Sequence, residues 1–349
     1  MKREIVSLLV LLLVLYQLNA AEAVNLTGHV RYLSKDIGPR PAGSPAEAEA
    51  ADYLAAQFRK YGLKTEVQEF KYYSLRSGDV KTSRNVIGTI EGLSEREVVI
   101  CADLDTPRDT LTSTHVEGAN DDATGLAVLI GLAERYSKRK PLYTVRLIAF
   151  GAGEDPFTFP LFTPDRTSLE PDSYHQIVYI PYLVGSRYHV LSHQDTLKST
   201  AAVISVEAAG LGTPCVVSWD YYRENSRVFT DFILLSAMID GINARKIEFM
   251  AMNMTVAGEV PISHVHLPFS IAGVPSTFIT CMMDPTDSPV HTEREIPGYL
   301  SVDDTYENLL KFSGGEEKLN THLNMMVNLT GGVIDRLPPL DFMIRMTGQ

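Results

Sequence analysis

The chain has 349 residues, of which 45% are hydrophobic and 21% are charged, so it has an ordinary globular composition and ample length for a large core. Its formal net charge of −12 argues against a nucleic-acid partner, because phosphate groups would be repelled, and is compatible with cationic ligands such as peptide N-termini. The three cysteines allow one internal disulfide at most, and the sequence does not choose the pair.

The first 23 residues have the pattern of an export signal. Lys2 and Arg3 precede an apolar run at 5–18, whose 14 residues are too few to span a bilayer comfortably. Ala21-Glu22-Ala23 then fits a cleavage site, so we predict a signal peptide at 1–23 and a secreted or extracytoplasmic protein. The alternative is an uncleaved segment that anchors the protein, which would be its only membrane association.

From residue 24 onward, short apolar strands alternate with helices. The predicted elements are a helix at 45–61, strands at 65–70, 85–90 and 98–102, a helix at 122–135, strands at 145–150, 201–206 and 276–281, and helical segments near 227–240 and 304–334. Such alternation predicts an α/β fold with a mainly parallel twisted sheet and helices on both faces. No repeat or linker interrupts it, so we predict one domain over 24–349.

The stretch 156–184 breaks this alternation. It combines several aromatic residues with five prolines, which exclude a continuous helix or a central strand. A loop of this length is uncommon in a compact domain and is often functional, so we expect it to wall a substrate pocket. The alternative is a surface insertion without a role in function.

Acidic residues and one histidine lie where predicted strands end or where a helix begins. They are Asp103, Asp105, Asp121, Asp122, Glu154, Asp155, Glu207 and His291. Because open α/β sheets bind ligands outside the carboxyl ends of their strands, we expect these side chains to converge on one edge. Carboxylates and imidazole are ligands of zinc and related divalent metals, so the set predicts a metal site. Taken singly, each acid could equally be a polar loop residue or a helix cap.

The sequence resembles the secreted di-zinc aminopeptidases of metallopeptidase family twenty-eight over nearly the whole mature chain. The resemblance is carried, in order, by the segments 36–44, 83–88, 118–125 and 185–187, and by His266-x-Pro268-Phe269 leading into 272–275. It implies a zinc exopeptidase-like fold with three α/β/α layers, and two metal ions that share a bridging aspartate, here Asp121.

The resemblance also implies the remaining ligands. One metal would take Asp103, Asp121 and Glu207; the other would take Asp121, His291 and an acid from the 154–155 pair. Asp103 stands where the family has a histidine, and an all-oxygen set suits manganese, magnesium or calcium better than zinc. We therefore expect one or two divalent ions, with zinc at the site that contains His291 and the Asp103 site empty or filled by a harder ion.

The family's paired glutamates, of which the first is the general base, have two alignments here. A gapless alignment puts Gly153 at the base position and leaves Glu154 as the metal ligand. A turn that is longer by one residue makes Glu154 the base and Asp155 the ligand, and this alignment is preferred because a turn absorbs an insertion at little cost. The predicted catalytic residue is then Glu154, and the predicted ligands are Asp103, Asp121, Asp155, Glu207 and His291.

The predicted function is that of a metal-dependent aminopeptidase that hydrolyses the N-terminal bonds of extracellular peptides or small amides. Two alternatives stay open at this point. A glutaminyl cyclase would use a single metal at Asp121, Asp155 and His291, and related cyclases also carry a long insertion after their glutamate pair. A metal-binding relative without catalysis would keep the fold, as Gly153 and Asp103 suggest.

Overall fold

The computed structural model describes the chain in ten pieces. They are residues 24–109, 111–155, 158–160, 177, 180, 182–223, 226–229, 232–257, 264–283 and 301–338. The predicted signal peptide at 1–23, the predicted ligand His291 and most of the predicted insertion at 156–184 lie outside these residues.

All ten described strands belong to one mixed sheet, in the order β5-β1-β2-β4-β3-β6-β10-β7-β8, with β9 also paired to β7. Their bounds are β1 Lys64–Ser74, β2 Asp79–Ile90, β3 Ser94–Asp103, β4 Tyr143–Phe150, β5 Thr158–Pro160, β6 Thr200–Val206, β7 Thr213–Arg223, β8 Ser226–Phe229, β9 Met250–Ala257 and β10 Ser276–Met282. The four central strands β4, β3, β6 and β10 are parallel, and antiparallel pairs flank them on both sides.

Helices cover both faces of the sheet, as predicted. They are α1 Leu26–Arg31, which continues as a π-helical turn at Tyr32–Ile37, α2 Pro45–Lys60, α3 Ala123–Ser137, α4 Val184–Ser192, α5 Gln194–Leu197, α6 Phe232–Asn243, α7 Leu267–Ile271, α8 Tyr306–Ser313 and α9 Glu316–Ile334. None of the described helices is long and apolar enough to cross a membrane.

The central strand β3 shows how the two faces are filled. Val98, Ile100 and Ala102 belong to the large apolar core under α1, α2, α3, α6 and α9, whereas Val99 and Cys101 belong to a second core with residues of α4 and α7. Successive side chains of a strand point to opposite faces, so a strand that is apolar at every position must be covered on both. The predicted α/β fold is confirmed.

Two predicted helical segments differ in detail. The segment near 227–240 begins as strand β8, which pairs with β7, before α6 starts at Phe232. The segment near 304–334 is two helices, because Gly314 and Gly315 adopt φ values of +82° and +110° and end α8. Left-handed backbone of this kind is available to glycine and terminates a helix.

Candidate active site

Three neighbouring strands bring predicted site residues to one edge of the sheet. β4, β3 and β6 run parallel and side by side. Asp103 is the last residue of β3, Glu207 directly follows β6, and Glu154 lies in the turn after β4. Because the carboxyl ends of parallel strands share an edge, the sheet itself assembles this acidic group.

Asp103 and Glu207 each carry an oxygen that lacks a hydrogen-bond donor. Both side chains are 3% exposed. Among the residues that the structure describes, none donates to Asp103 Oδ1 or to Glu207 Oε1. A buried carboxylate oxygen without a partner is costly, so these two atoms require a proton or a cation.

Glu207 is held by a residue that the sequence did not single out. Its second oxygen, Oε2, forms a short hydrogen bond with Nδ1 of His264. The His264 ring stacks on Phe278 of β10, with ring centroids 4.1 Å apart. His264 comes from a segment well removed in the chain from Glu207, and no local pattern marks it as a site residue.

Asp121 enters the site from the loop that precedes α3. Its backbone N–H donates to Asp304 Oδ2 at 2.9 Å, and the N–H of Asn120 donates to Asp304 Oδ1 at 2.6 Å. One buried carboxylate therefore fixes two consecutive peptide groups and with them the position of Asp121. No sequence motif marks Asp304 as a site residue, because only the fold brings it to this loop.

Asp122 holds the site together instead of facing into it. Its Oδ1 accepts from the N–H groups of Gly125 at 3.0 Å and Ala208 at 3.3 Å, and its Oδ2 accepts from the N–H of Asp103 at 3.1 Å. The side chain thus caps α3 and ties it to the ends of β3 and β6. Asp122 is therefore a helix cap, which is the alternative that the sequence left open for an acid at the start of a helix.

The turn after β4 is fastened by two further buried acids. Asp105 accepts from the N–H of Gly153 at 2.7 Å and of Glu154 at 3.0 Å. Glu47 of α2 accepts from the N–H of Ala152 at 2.9 Å and from the Ser83 hydroxyl at 2.7 Å. Backbone bonds from the start of α4 hold the other side of the turn, at 3.0 to 3.1 Å. The turn therefore presents the Glu154 side chain from a fixed backbone.

Glu154 and Asp155 have different surroundings. Glu154 is partly exposed. Asp155 is 5% exposed, and its Oδ2 accepts from Lys81 Nζ at 3.2 Å and from Tyr72 Oη at 3.3 Å, while Arg76 Nε lies 4.0 Å from its Oδ1. Asp155 is thus neutralised by cations of the neighbouring hairpin. This arrangement does not favour the predicted metal-ligand role of Asp155.

Arg40 connects the segments that carry these acids. Its buried guanidinium donates to five backbone carbonyls, those of Leu33, Gly38, Leu104, Glu117 and Gly118, at 2.9 to 3.4 Å. Its charge also counters the carboxylates of Asp304 and Asp121. The segment 36–44, cited for the resemblance, therefore contributes a structural cation to the site.

The acidic group is strongly self-repelling without a bound cation. Burial raises the pKa of Asp103 well above its usual value, and the charges of Glu154 and Glu207 raise it further. Burial likewise raises the pKa of Asp121, and the negative charges of Asp304 and Glu207 raise it further. Glu154 is partly exposed, but the protein around its carboxyl still desolvates it, and this desolvation and then the charge of Asp121 raise its pKa. Carboxylates that oppose one another's ionisation in this way are stabilised by a metal ion.

The donor set fits a divalent metal, although the described ligands do not complete a site. Within the described ranges, no group of three or more His, Cys, Asp or Glu side chains is arranged to hold an ion. The two unpaired oxygens of Asp103 and Glu207 nevertheless lie in a group of mutually repelling acids at a strand edge. The predicted ligand His291 lies outside the described residues and would be the nitrogen donor.

The fold is that of a family of peptidases. The chain belongs to peptidase family M28, whose profile matches residues 85–310. That stretch contains all the predicted site residues. The resemblance noted from the sequence is thereby confirmed.

Two curated relatives come from Escherichia coli. The alkaline phosphatase isozyme conversion protein is 29% identical over 140 residues, which are 36% of this chain and 41% of that protein. The uncharacterized protein YfbL is 24% identical over 319 residues, 88% of this chain and 85% of that protein. The first match therefore spans about two fifths of the relative's length.

Solved structures share the fold at low sequence identity. A leucine aminopeptidase precursor from Bacteroides thetaiotaomicron superposes with a TM-score of 0.63 at 16% identity, covering 88% of this chain and 96% of that chain. A glutaminyl cyclase from the same organism superposes with a TM-score of 0.61 at 16% sequence identity, covering 88% of this chain and 97% of that chain. The zinc aminopeptidase BSAP from Bacillus subtilis superposes with a TM-score of 0.60 at 16% sequence identity, covering 88% of this chain and 93% of that chain.

Proposed function

We propose that the chain is a zinc-dependent aminopeptidase that removes N-terminal residues from extracellular peptides. The observation that carries the proposal is the pair of buried, donor-free oxygens on Asp103 and Glu207, within an acidic group at the strand edge. Membership of peptidase family M28 supports hydrolysis of an amide bond. Zinc is supported by relatives of the same fold that are described as zinc enzymes.

The residues proposed to hold metal are Asp103, Asp121, Glu207 and His291, with zinc on the side of Asp121 and His291 and a harder ion, where one binds, on the side of Asp103 and Glu207. A bound divalent ion supplies Lewis-acid polarisation of a carbonyl and lowers the pKa of a bound water. Asp304 and His264 support this set by holding Asp121 and Glu207 in place. Asp155 is left out, because Lys81 and Tyr72 already occupy its carboxylate.

Glu154 is proposed as the proton-transfer residue. Asp103, Asp121 and Glu207 are 3 to 5% exposed, whereas Glu154 is partly exposed and can meet a substrate. Desolvation and the charge of Asp121 raise the pKa of the Glu154 carboxyl above its usual value, and a carboxyl with a raised pKa returns a proton more readily at neutral pH. Glu154 would take a proton from the attacking water and deliver it to the leaving amine.

The substrate class follows from charge. The acidic group contains more carboxylates than one divalent ion neutralises, so the remaining negative charge would attract the ammonium group of a peptide N-terminus. An acetylated N-terminus has no such charge. Unblocked peptides should therefore be cleaved, and their acetylated counterparts should be poor substrates.

The test is a comparison of one protein preparation with and without metal. Aminoacyl-p-nitroanilides, their N-acetyl forms and a glutaminyl peptide are supplied to protein treated with a chelator and to the same protein after one equivalent of zinc is restored. Zinc-dependent release of nitroaniline from the unblocked substrates alone supports the proposal. Zinc-dependent pyroglutamate formation without hydrolysis would make the protein a cyclase. Zinc binding with neither reaction would make it a relative without catalysis.

A further inference from the structure

Three soft donor atoms meet between β10 and α9, in the core beneath the sheet. Cys281 Sγ lies 3.4 Å from His322 Nε2 and 3.5 Å from Met326 Sδ. His322 and Met326 are four residues apart on α9 and so share one face of the helix. We call Cys281, His322 and Met326 the soft-donor cluster. None of the three belongs to the candidate active site.

The cluster is buried and its imidazole is oriented. Cys281 and Met326 are 0% exposed. The Nε2 atom of His322 faces the Cys281 thiol. Burial lowers the pKa of His322, which keeps the imidazole neutral as a metal ligand must be, and the backbone of Ala209 acts against that shift.

A cavity of about 790 Å³ reaches the cluster at His322, which is one of its lining residues. Met283 and Met325 also line this cavity and pack against the same core as Cys281, so two further methionines lie on the cluster's side of the sheet. Met282 instead packs on the opposite face of the sheet.

The spacing of the donors suits a metal as well as a simple thiol hydrogen bond. Metal–sulfur and metal–nitrogen bonds of about 2.3 and 2.0 Å place neighbouring donors roughly 3.5 to 4.0 Å apart, depending on whether the site is tetrahedral or trigonal. The observed separations of 3.4 and 3.5 Å need only a small expansion. Hard ions such as magnesium or calcium are excluded by the donor types, because thiolate and thioether ligands select soft ions.

We propose that the soft-donor cluster binds one monovalent copper ion, Cu(I), independently of the peptidase function. On binding, the Cys281 S–H bond breaks, its proton leaves to solvent, and a sulfur–copper bond forms without change of oxidation state. One thiolate and one Cu(I) ion sum to zero charge, which a buried apolar site tolerates. Zinc at the same three ligands would leave one uncompensated positive charge.

The experiment uses the zinc-loaded full-length protein under anaerobic conditions. Cu(I) is supplied as its coloured bicinchoninate complex, and the loss of colour counts the copper that the protein withdraws. Wild-type protein should withdraw one equivalent and develop a thiolate-to-copper absorbance in the ultraviolet. Met326→Leu preserves volume and removes one donor, and should weaken binding by at least about tenfold. Cys281→Ser should abolish the absorbance.

Matched controls make the same substitutions elsewhere in the core. Cys215→Ser changes another buried cysteine, and Met238→Leu changes another buried methionine. Both should bind copper as wild type does. A wild-type protein that withdraws no copper, or a Met326→Leu variant that binds it with wild-type affinity, would overturn the proposal. If Cys281→Ser fails to fold, the Met326→Leu comparison alone decides between these outcomes.

Discussion

Asp103 Oδ1 lies 2.2 Å from the point at which a β-carbon on Gly153 would stand. The carboxylate of Asp103 therefore occupies the space that the β-carbon of any other residue at position 153 would need. The sequence departs from the resembled family at Asp103, and the gapless alignment also places Gly153 at the position of the catalytic base. The structure connects the two positions, because the carboxylate of Asp103 fills the space that a side chain at 153 would need.

Gly153→Ala should destabilise the protein by about 1–3 kcal/mol, because the added methyl group overpacks against Asp103. The same substitution should cost less in an Asp103→Ala background, where the opposing carboxylate is gone. Urea denaturation of the two single variants and the double variant measures the coupling, which should be at least about 0.5 kcal/mol. Additive effects would show that the two positions do not compete for space.

Glu154→Gln should lower turnover on unblocked substrates by about two to four orders of magnitude while zinc content stays unchanged, because only the proton-transfer group is lost. Steady-state kinetics and elemental analysis of the same sample provide both readings. Asp155→Asn is the matched control and should retain most activity and all the zinc. Loss of zinc from Glu154→Gln would instead make Glu154 a ligand and support the gapless alignment.

Asp304→Asn should weaken zinc binding and lower stability by about 1–3 kcal/mol. The amide supplies one acceptor where two backbone N–H groups need two, so the loop that carries Asp121 loses a hydrogen bond. Zinc affinity by chelator competition and thermal denaturation check this expectation. Asp303→Asn alters the exposed neighbour and should change neither quantity. If both variants changed zinc affinity and thermal stability equally, Asp304 would have no special role in holding the loop.

The metal-free protein should lose stability as the pH rises from about 6.5 to about 8. Burial raises the pKa of Glu47 to about 8 and those of Asp105 and Asp304 to about 7. In the unfolded chain these groups titrate near pH 4. The native state therefore binds more protons than the unfolded state over this interval, and its stability falls as these groups ionise.

The buried histidines act in the opposite direction in the lower part of this interval. Burial lowers the pKa of His29 to about 4, and a histidine of this kind favours the native state as the pH rises until the unfolded imidazole, with a pKa near 6.5, has lost its proton at about pH 7.5. The decline should therefore be clearest above about pH 7.5. Melting temperatures of metal-free and zinc-loaded protein across the interval test the expectation. Zinc should flatten the decline, because its positive charge favours the ionised forms of these nearby carboxyl groups in the native state. A metal-free protein that gains stability over this interval would contradict it.

We expect cleavage of a signal peptide to remove the first 20 to 23 residues when the protein is exported. The basic start, short apolar run and Ala21-Glu22-Ala23 motif motivate this expectation. N-terminal sequencing of protein recovered from the native host measures it. A mature chain that begins at Met1 and fractionates with the membrane would support the anchor alternative.

Some of the site could be predicted because it depends on local pattern. Asp103 and Glu207 were identified because each follows a run of buried strand residues, and the edge at which parallel strands end is a property of the fold class. Asp121 was identified from its motif. His264 and Asp304 could not be found this way, because hydrogen bonds across 57 and 183 residues of chain leave no local periodicity.

The sequence by itself determined the α/β alternation, the strand ends that carry acids and the resemblance to a peptidase family, because apolar periodicity and short motifs are written in neighbouring residues. Only the tertiary structure decided what each acid faces. The Asp122 carboxylate accepts hydrogen bonds from backbone N–H groups, the Asp155 carboxylate pairs with Lys81, and the Asp103 carboxylate fills the space beside Gly153. A carboxylate has the same composition in all three places, and its role is set by the donors, charges and free volume that distant segments bring to it.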